Sequence, residues 1–183
     1  MIRPATPEDA NAVAPLLILA LGHIAGIFAQ SENHEDAIPF VKSFFEAPDN
    51  QYSYANTLVF EDETGVIGSA TSYDGALLHK LRQPVLDKLR EVMPDFNPDD
   101  ETDAGEYYLD CVCVDPNQQE KGIGKKLILA FCERAADLGF SRAGLIVDKV
   151  NPEAKKLYEK LGFEVGGEKD FMGHRYFHMI RQV

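Results

Sequence analysis

Cysteine is scarce in this chain, and so is basic charge. Only Cys111, Cys113 and Cys132 occur among 183 residues. There is no Cys-x-x-Cys pair and no histidine at zinc-ligand spacing, so the sequence predicts no metal site. A disulfide framework is equally unexpected, which points to a reducing compartment and hence the cytoplasm. Cys111 and Cys113 alternate along one apolar strand, where a buried thiol behaves as a small hydrophobe. Lysine and arginine number 18 against 30 aspartates and glutamates, a formal net charge of -12. Phosphate backbones repel such a surface, so nucleic acid is not expected as a main partner, whereas a cationic ligand is favoured. The same charge also serves solubility. Long hydrophobic runs are missing too: Leu16 to Leu21 is too short to span a bilayer. It follows Glu8 and Asp9 rather than a basic region, so neither a membrane helix nor a signal peptide is expected.

No internal repeat and no linker interrupts the chain, and its length suits one domain, residues 1–183, with a core of its own. Thr6-Pro7-Glu8-Asp9 is a helix start, with a capping hydroxyl, an early proline and acids in the first turn. That helix is expected to run to about Leu21, where Gly22 or Gly26 can break it. A second helix is expected over 35–45, with Ile38, Val41 and Phe45 on one face. Strands over 57–61 and 66–72 flank Glu63-Thr64-Gly65 as a hairpin. Gln83-Pro84 reads as the opening of a further helix. After it Asp95, Asp99, Asp100, Glu101, Asp103 and Glu106 follow with no basic residue among them, as in a solvated loop or the rim of a cationic-ligand site. From Glu106 the pattern is a strand, a helix over 124–138 closed by Gly139, a strand over 140–148, a helix over 152–161 closed by Gly162, and two final strands. The economical reading is one α/β structure of mixed layers.

The most informative stretch runs from Tyr108 to Leu127. Val114-Asp115-Pro116 ends a buried strand, because proline donates no ladder hydrogen bond. Gln119-Glu120-Lys121-Gly122-Ile123-Gly124 then leads into a helix. Its glycines let an anion approach the backbone, and the helix start offers unpaired N–H groups and the positive end of a dipole. A strand, a glycine turn and a helix N-terminus can cradle a pyrophosphate. Lys121, Lys125 and Lys126 place positive charge there against the acidic balance of the chain. A Walker loop is excluded because Lys125-Lys126 follows Gly124 where a hydroxyl is needed. A dinucleotide fingerprint lacks its third glycine at Leu127, although Asp148 stands about 20 residues on, where a ribose-binding acid belongs. A nicotinamide-binding fold is therefore a rival, but one with too little chain after Asp148 to complete it.

A second signal follows at Asn151-Pro152, running into Leu157-Tyr158-Glu159-Lys160-Leu161-Gly162-Phe163. With Gln119, Gly122 and Gly124, these residues resemble the acetyl-CoA-binding core of the GNAT superfamily of N-acetyltransferases. The glycine motif is matched in full, the second motif at Asn151, Tyr158, Leu161, Gly162 and Phe163, and the specific match covers roughly residues 105 to 165. The resemblance implies a GNAT-like acyl-CoA N-acyltransferase fold: a central mixed, mostly antiparallel twisted sheet flanked by helices, with its fourth and fifth strands splayed by a bulge. It implies acetyl-CoA as cosubstrate, with pantetheine along Val112, Cys113 and Val114, and the pyrophosphate at Gln119, Glu120, Lys121, Gly122, Ile123, Gly124 and Lys125. A backbone N–H in this strand would polarise the thioester carbonyl. Asn151 would bond pantetheine and can also cap the helix before Pro152. Tyr158 resembles the residue that protonates the leaving thiolate, and can equally be a packed aromatic.

The acceptor amine must shed a proton before it attacks, so a general base is useful. Glu106 lies where several family members carry one. Asp110 shares its strand parity, so both carboxylates should face one way unless the bulge intervenes. Either can also be a strand-end ion-pair partner. An acyl-cysteine at Cys111 or Cys113 is not expected, since no histidine accompanies them. The acceptor is shaped by the early helices and by residues 73–105, and the acidic character of that segment suggests an amine-bearing small molecule or a basic peptide. A CoA-binding module without turnover is the alternative. Dimerisation is common in the family, and nothing in this sequence specifies it.

Overall fold

A computed structural model describes residues 1–183. Its strands are β1 (Ile2–Pro4), β2 (Thr57–Asp62), β3 (Gly65–Asp74), β4 (Tyr107–Val114), β5 (Arg142–Asp148), β6 (Glu164–Phe171) and β7 (His174–Gln182). Its helices are α1 (Ala10–Leu21), α2 (His23–Ala29), α3 (Ile38–Glu46), α4 (Leu78–Arg90), α5 (Ile123–Asp137) and α6 (Pro152–Lys160). The strands form one sheet in the order β1-β2-β3-β4-β5-β7-β6. Every neighbouring pair is antiparallel except β4 with β5. No single helix is long and apolar enough to cross a membrane.

The first helical stretch divides where the sequence allowed it to. Pro7–Asp9 makes a 3-10 turn, with the Thr6 N–H donating to the Asp9 carboxylate at 2.8 Å, and α1 follows. Gly22, at φ +55, breaks the helix and turns the chain into α2. Pro84 was expected to open a helix and instead lies inside α4, which starts at Leu78. Leu78, Leu81, Val85 and Leu89 are buried along one stripe of that helix. Burying four such side chains contributes about 1.5–3 kcal/mol each, enough to outweigh the roughly 3 kcal/mol that an interior proline costs. Gly139 at φ +84 and Gly162 at φ +86 follow α5 and α6 as left-handed caps.

Two apolar layers sandwich the sheet. One gathers α1, α2 and α3 around Leu17, Val41 and Phe45; the other packs α5, through Leu127, Ile128 and Phe131, against Tyr107, Leu109 and Leu145. Strand β4 contributes to both in an unusual way. Thr71 pairs with Cys111 and Ser72 with Leu109, so Asp110 is an extra residue bulged out of the β3–β4 ladder. This one-residue slip turns the strand over. Leu109 faces the α5 layer, whereas Cys111, of the same simple parity, packs into the α1 layer.

Candidate active site

The bulge falls where β4 and β5 part company. These strands pair only over Tyr107–Leu109 with Ala143–Leu145, and beyond Leu109 the β5-facing edge of β4 has no strand partner. A wedge opens there, and a cavity of about 500 Å³ runs through it. Val112, Cys113 and Val147 line one part, with Asn151 at the cap of α6 and Ala154 and Tyr158 along it. The turn from α1 into α2 closes over another part with Leu21, Gly22 and His23. The wall contains Glu101, Asp110 and Asp148 but neither lysine nor arginine. Cations are therefore favoured inside.

At the far end of β4 lies the glycine loop. Gly122 takes φ +74 and precedes α5, whose first turn carries no side-chain cap. Its leading N–H groups are thus free for an anion. Gly124 has open space around it: an added Cβ would meet only Val114 Cγ2, at 3.7 Å. Lys121 and Lys125 are exposed beside the loop, and Lys121 Nζ donates to Gln118 Oε1 at 2.6 Å. Gln119 and Glu120 are exposed, and Glu120 itself sits at φ +64. Ile123 is buried under the helix. Asn151 caps α6 by accepting from the Ala154 N–H at 3.1 Å, and also lines the cavity.

Tyr158 is half-buried on the cavity wall and packs edge-on against Phe163, centroids 6.0 Å apart. Burial, with Cys111 nearby, pushes its phenol up to about 12. It is therefore a protonated O–H at neutral pH.

Asp110 accepts from three side chains: the Tyr73 hydroxyl at 2.6 Å, Gln51 Nε2 at 3.2 Å and the Cys111 thiol at 3.0 Å. Burial nevertheless dominates and raises its pKa above the ordinary carboxylate value, against these bonds and the charge of Arg82. Glu101 is the second acid in the wall. It comes from the acidic segment between α4 and β4, yet only 2% of it is exposed. Burial, then the charge of Asp110, push its pKa up to about 8.

Glu106 lies apart. It is buried but does not line the cavity. Its Oε1 accepts from Thr102 Oγ1 at 2.6 Å, and its Oε2 meets His178 Nε2 at 2.8 Å. To reach β7 it crosses over Gly144 of β5, where a Cβ would fall inside the Glu106 carboxyl. Burial alone would raise its pKa, but His178 and Thr102 outweigh burial and hold it below the usual range. A committed carboxylate with both oxygens engaged is poorly suited to collect a proton. Of the two acids expected from strand parity, the structure places only Asp110 at the cavity.

The family model for the acetyltransferase (GNAT) family matches residues 23–163. The chain belongs to this family. A probable spermine N(1)-acetyltransferase from Bacillus subtilis subsp. natto is 33% identical over 93 residues, covering 50% of this chain and 59% of that protein. The chain thus matches a little over half the length of that relative. Among solved GNAT-like structures, a crystal structure of an acetyltransferase superposes with a TM-score of 0.83 at 31% identity, covering 100% of this chain and 99% of the other. The fold is also shared with yncA from Salmonella typhimurium, solved with its cofactor acetyl-CoA, at a TM-score of 0.59 and 17% identity over 100% of this chain and 92% of that one. The GNAT assignment and the mostly antiparallel sheet both exclude the doubly wound parallel fold that a nicotinamide site at Asp148 would need. Asp148 instead bonds His174 Nδ1 at 2.5 Å, and His174 stacks on His23 with centroids 3.9 Å apart.

Sequence reasoning missed Gln51 and Tyr52, and it did not single out Glu101 within the acidic run or Tyr73 within residues 73–105. Glu101 sits in a run of six acids that looks solvated, and the one cue to its burial is Arg82, a basic residue on the otherwise apolar stripe of α4. Gln51 and Tyr52 belong to an irregular turn before β2 and carry no motif. Tyr73 ends a strand whose alternation says which face it takes, but not that Asp110 is its partner.

Proposed function

We propose that this chain is an acetyl-CoA-dependent N-acetyltransferase acting on a primary amine of a small molecule or basic peptide, by direct attack in a ternary complex. The observation that carries this reading is the wedge between β4 and β5. It sets the unpaired edge of β4, whose chain runs on through the glycine loop to the uncapped N-terminus of α5, against the carboxyls of Glu101 and Asp110 in one cavity. When bound, acetyl-CoA would supply the activated acetyl group as a thioester. The free N–H groups of the first turn of α5 and the side chains of Lys121 and Lys125 hold the pyrophosphate. The open edge of β4 at Val112, Cys113 and Val114 would hold pantetheine, Asn151 would add a polar contact, and a strand N–H there would supply polarisation of the thioester carbonyl. Asp110 takes the proton of the amine. Tyr158 delivers a proton to the departing sulfur.

A small polyamine is the first acceptor to try, because a relative is named for spermine and because the cavity wall carries three acids and neither lysine nor arginine. The deciding experiment combines thermal unfolding with an acetylation assay. Acetyl-CoA at ~100 times its dissociation constant should add ~2.7 kcal/mol, a rise of roughly 5–10 °C for a chain of this size. Acetylated spermine or another amine should then accumulate with stoichiometric free CoA. A thermal shift without product from any amine favours a CoA-binding module; neither shift nor product sinks the proposal.

Tyr158→Phe should lower kcat by roughly 10–100-fold, at the low end of general acid catalysis because a thiol of pKa about 8.5 already leaves well near neutral pH. Because the phenol stays protonated up to about pH 12, the loss should be nearly constant across the assay range, and it should shrink with an acetyl thioester of a more acidic thiol. An equal loss with both thioesters would make Tyr158 a packing residue only.

A further inference from the structure

Glu101 reaches the cavity by a route that its neighbours make deliberate. Arg82, buried on α4, donates from Nη1 to the Asp99 carbonyl at 2.9 Å and to Glu101 Oε2 at 3.0 Å, and from Nη2 to Asp100 Oδ1 at 2.5 Å. Three successive residues of one loop are thereby gathered onto one guanidinium, which does not itself line the cavity. Gly75 makes room for the loop that follows: an added Cβ would overlap the Asp103 carbonyl oxygen and lie 2.6 Å from Thr102 Oγ1. A buried acid costs stability unless it is paired. Here the one arginine bonds Glu101 and Asp100, while Asp110, the other acid of the pair that lines the cavity, feels only its charge and is held by Tyr73, Gln51 and Cys111. Tyr52, Tyr73, Tyr108 and Cys111 pack on the pair and are neutral at physiological pH because burial raises each of them further, and the same wall also holds Asp148, His23 and Tyr158.

We propose that Glu101, clamped by Arg82, forms with Asp110 the seat that selects the acceptor: a carboxyl pair that admits cationic amines and rejects amines carrying a carboxylate of their own. The inference rests on the acceptor reading given above and names the substrate class of that site. Arg82 is a positioning residue, since it acts through Glu101. Without ligand the pair keeps a proton into the neutral range, because burial and mutual repulsion disfavour its second charge. An incoming ammonium supplies the missing positive charge, so the pair ionises fully and its proton passes to the buffer. Amine binding near pH 7 is therefore coupled to proton release. An acceptor with a carboxylate would bring a further negative charge to a wall that holds no lysine or arginine to meet it.

Calorimetric titration of the CoA-loaded protein with butylamine and with 4-aminobutanoate, in two buffers of different ionisation enthalpy, tests this without requiring turnover. Butylamine should bind tighter by roughly tenfold to a hundredfold, the worth of a contact to a charged group, and should release protons. Glu101→Gln, which keeps an oxygen for Arg82, should bring the affinity ratio towards one and remove most of the proton release, with acetyl-CoA affinity unchanged. Equal binding of the two amines by the wild-type protein, or unchanged proton release in Glu101→Gln, would overturn the proposal. If the variant does not fold, the wild-type comparison decides alone. Discrimination between the amines with no acetylation of any amine would defeat the acetyltransferase reading and leave this one standing. Acetylation of both amines with equal efficiency would do the reverse.

Discussion

Replacing Asp110 with asparagine is expected to lower kcat/KM for the amine by roughly 10²–10⁴-fold, the usual share of a general base, and to leave acetyl-CoA binding unchanged. The side chain stands at the bulge where β4 leaves β5 and lines the same cavity as Val112, Cys113 and Glu101. An ordinary aspartate, at a pKa of about 3.9, is a weak base for an ammonium group. Burial raises that of Asp110 and so improves the match, while Tyr73, Gln51 and Cys111 fix its orientation. The sign of the pH dependence follows. The wild-type rate should climb with pH as the Glu101–Asp110 pair loses its proton. In Asp110→Asn that limb should disappear, leaving a slope that tracks only the free-amine fraction. Steady-state profiles on both proteins read the difference. Wild-type activity in the variant, or an unchanged acid limb, would remove Asp110 from the mechanism.

Gly75→Ala is expected to damage both stability and acceptor use. The new methyl has no space, since the nearest obstruction is the Asp103 backbone carbonyl rather than a flexible side-chain end. Overpacking of this kind costs about 1–3 kcal/mol, which corresponds to a fall in Tm of roughly 2–10 °C at this chain length. The backbone of Asp103 and Thr102 must yield, and Glu101 is the next residue along. The KM for the amine should therefore rise several-fold more than that for acetyl-CoA. Gly167→Ala, where a Cβ meets nothing within 4 Å, serves as the control and should change neither. A Gly75→Ala protein with native Tm and native KM would show that the loop is not held as the structure indicates.

How much of this was legible in the sequence depended on how local the cause was. The strand, loop and helix starts assigned to acetyl-CoA were legible as elements because their parts are contiguous: a strand that stops before Pro116, glycines that permit a turn, a helix start, and an asparagine that caps α6. The sheet followed from the resemblance, including the splay of β4 from β5. Glu106 and Asp110 show where local reasoning ended. Their parity on the strand was visible, but the slip at Asp110 and the reach of Glu106 across Gly144 to His178 depend on β3, β5 and β7 together. Pro84 misled because proline's local rule is strong, and the apolar stripe from Leu78 to Leu89 overrode it through packing that only the tertiary structure supplies. Glu101 was hidden for a similar reason. Its partner Arg82 lies 19 residues earlier, and nothing in six scattered acids says which one turns inward.

The clip formed by Glu106, Thr102 and His178 has a mechanical meaning. A sheet prised open between two neighbouring strands can fail in two ways: the crack can run on towards the closed end, or the lips can zip shut. Glu106, just before β4, reaches over Gly144 in the middle of the three shared pairs to His178 of β7 and so acts as a rivet behind the crack tip. The extra residue at Asp110 throws the free lip out of step, so the ladder cannot simply resume. Braced against both failures, the gap owes its width to the sheet itself.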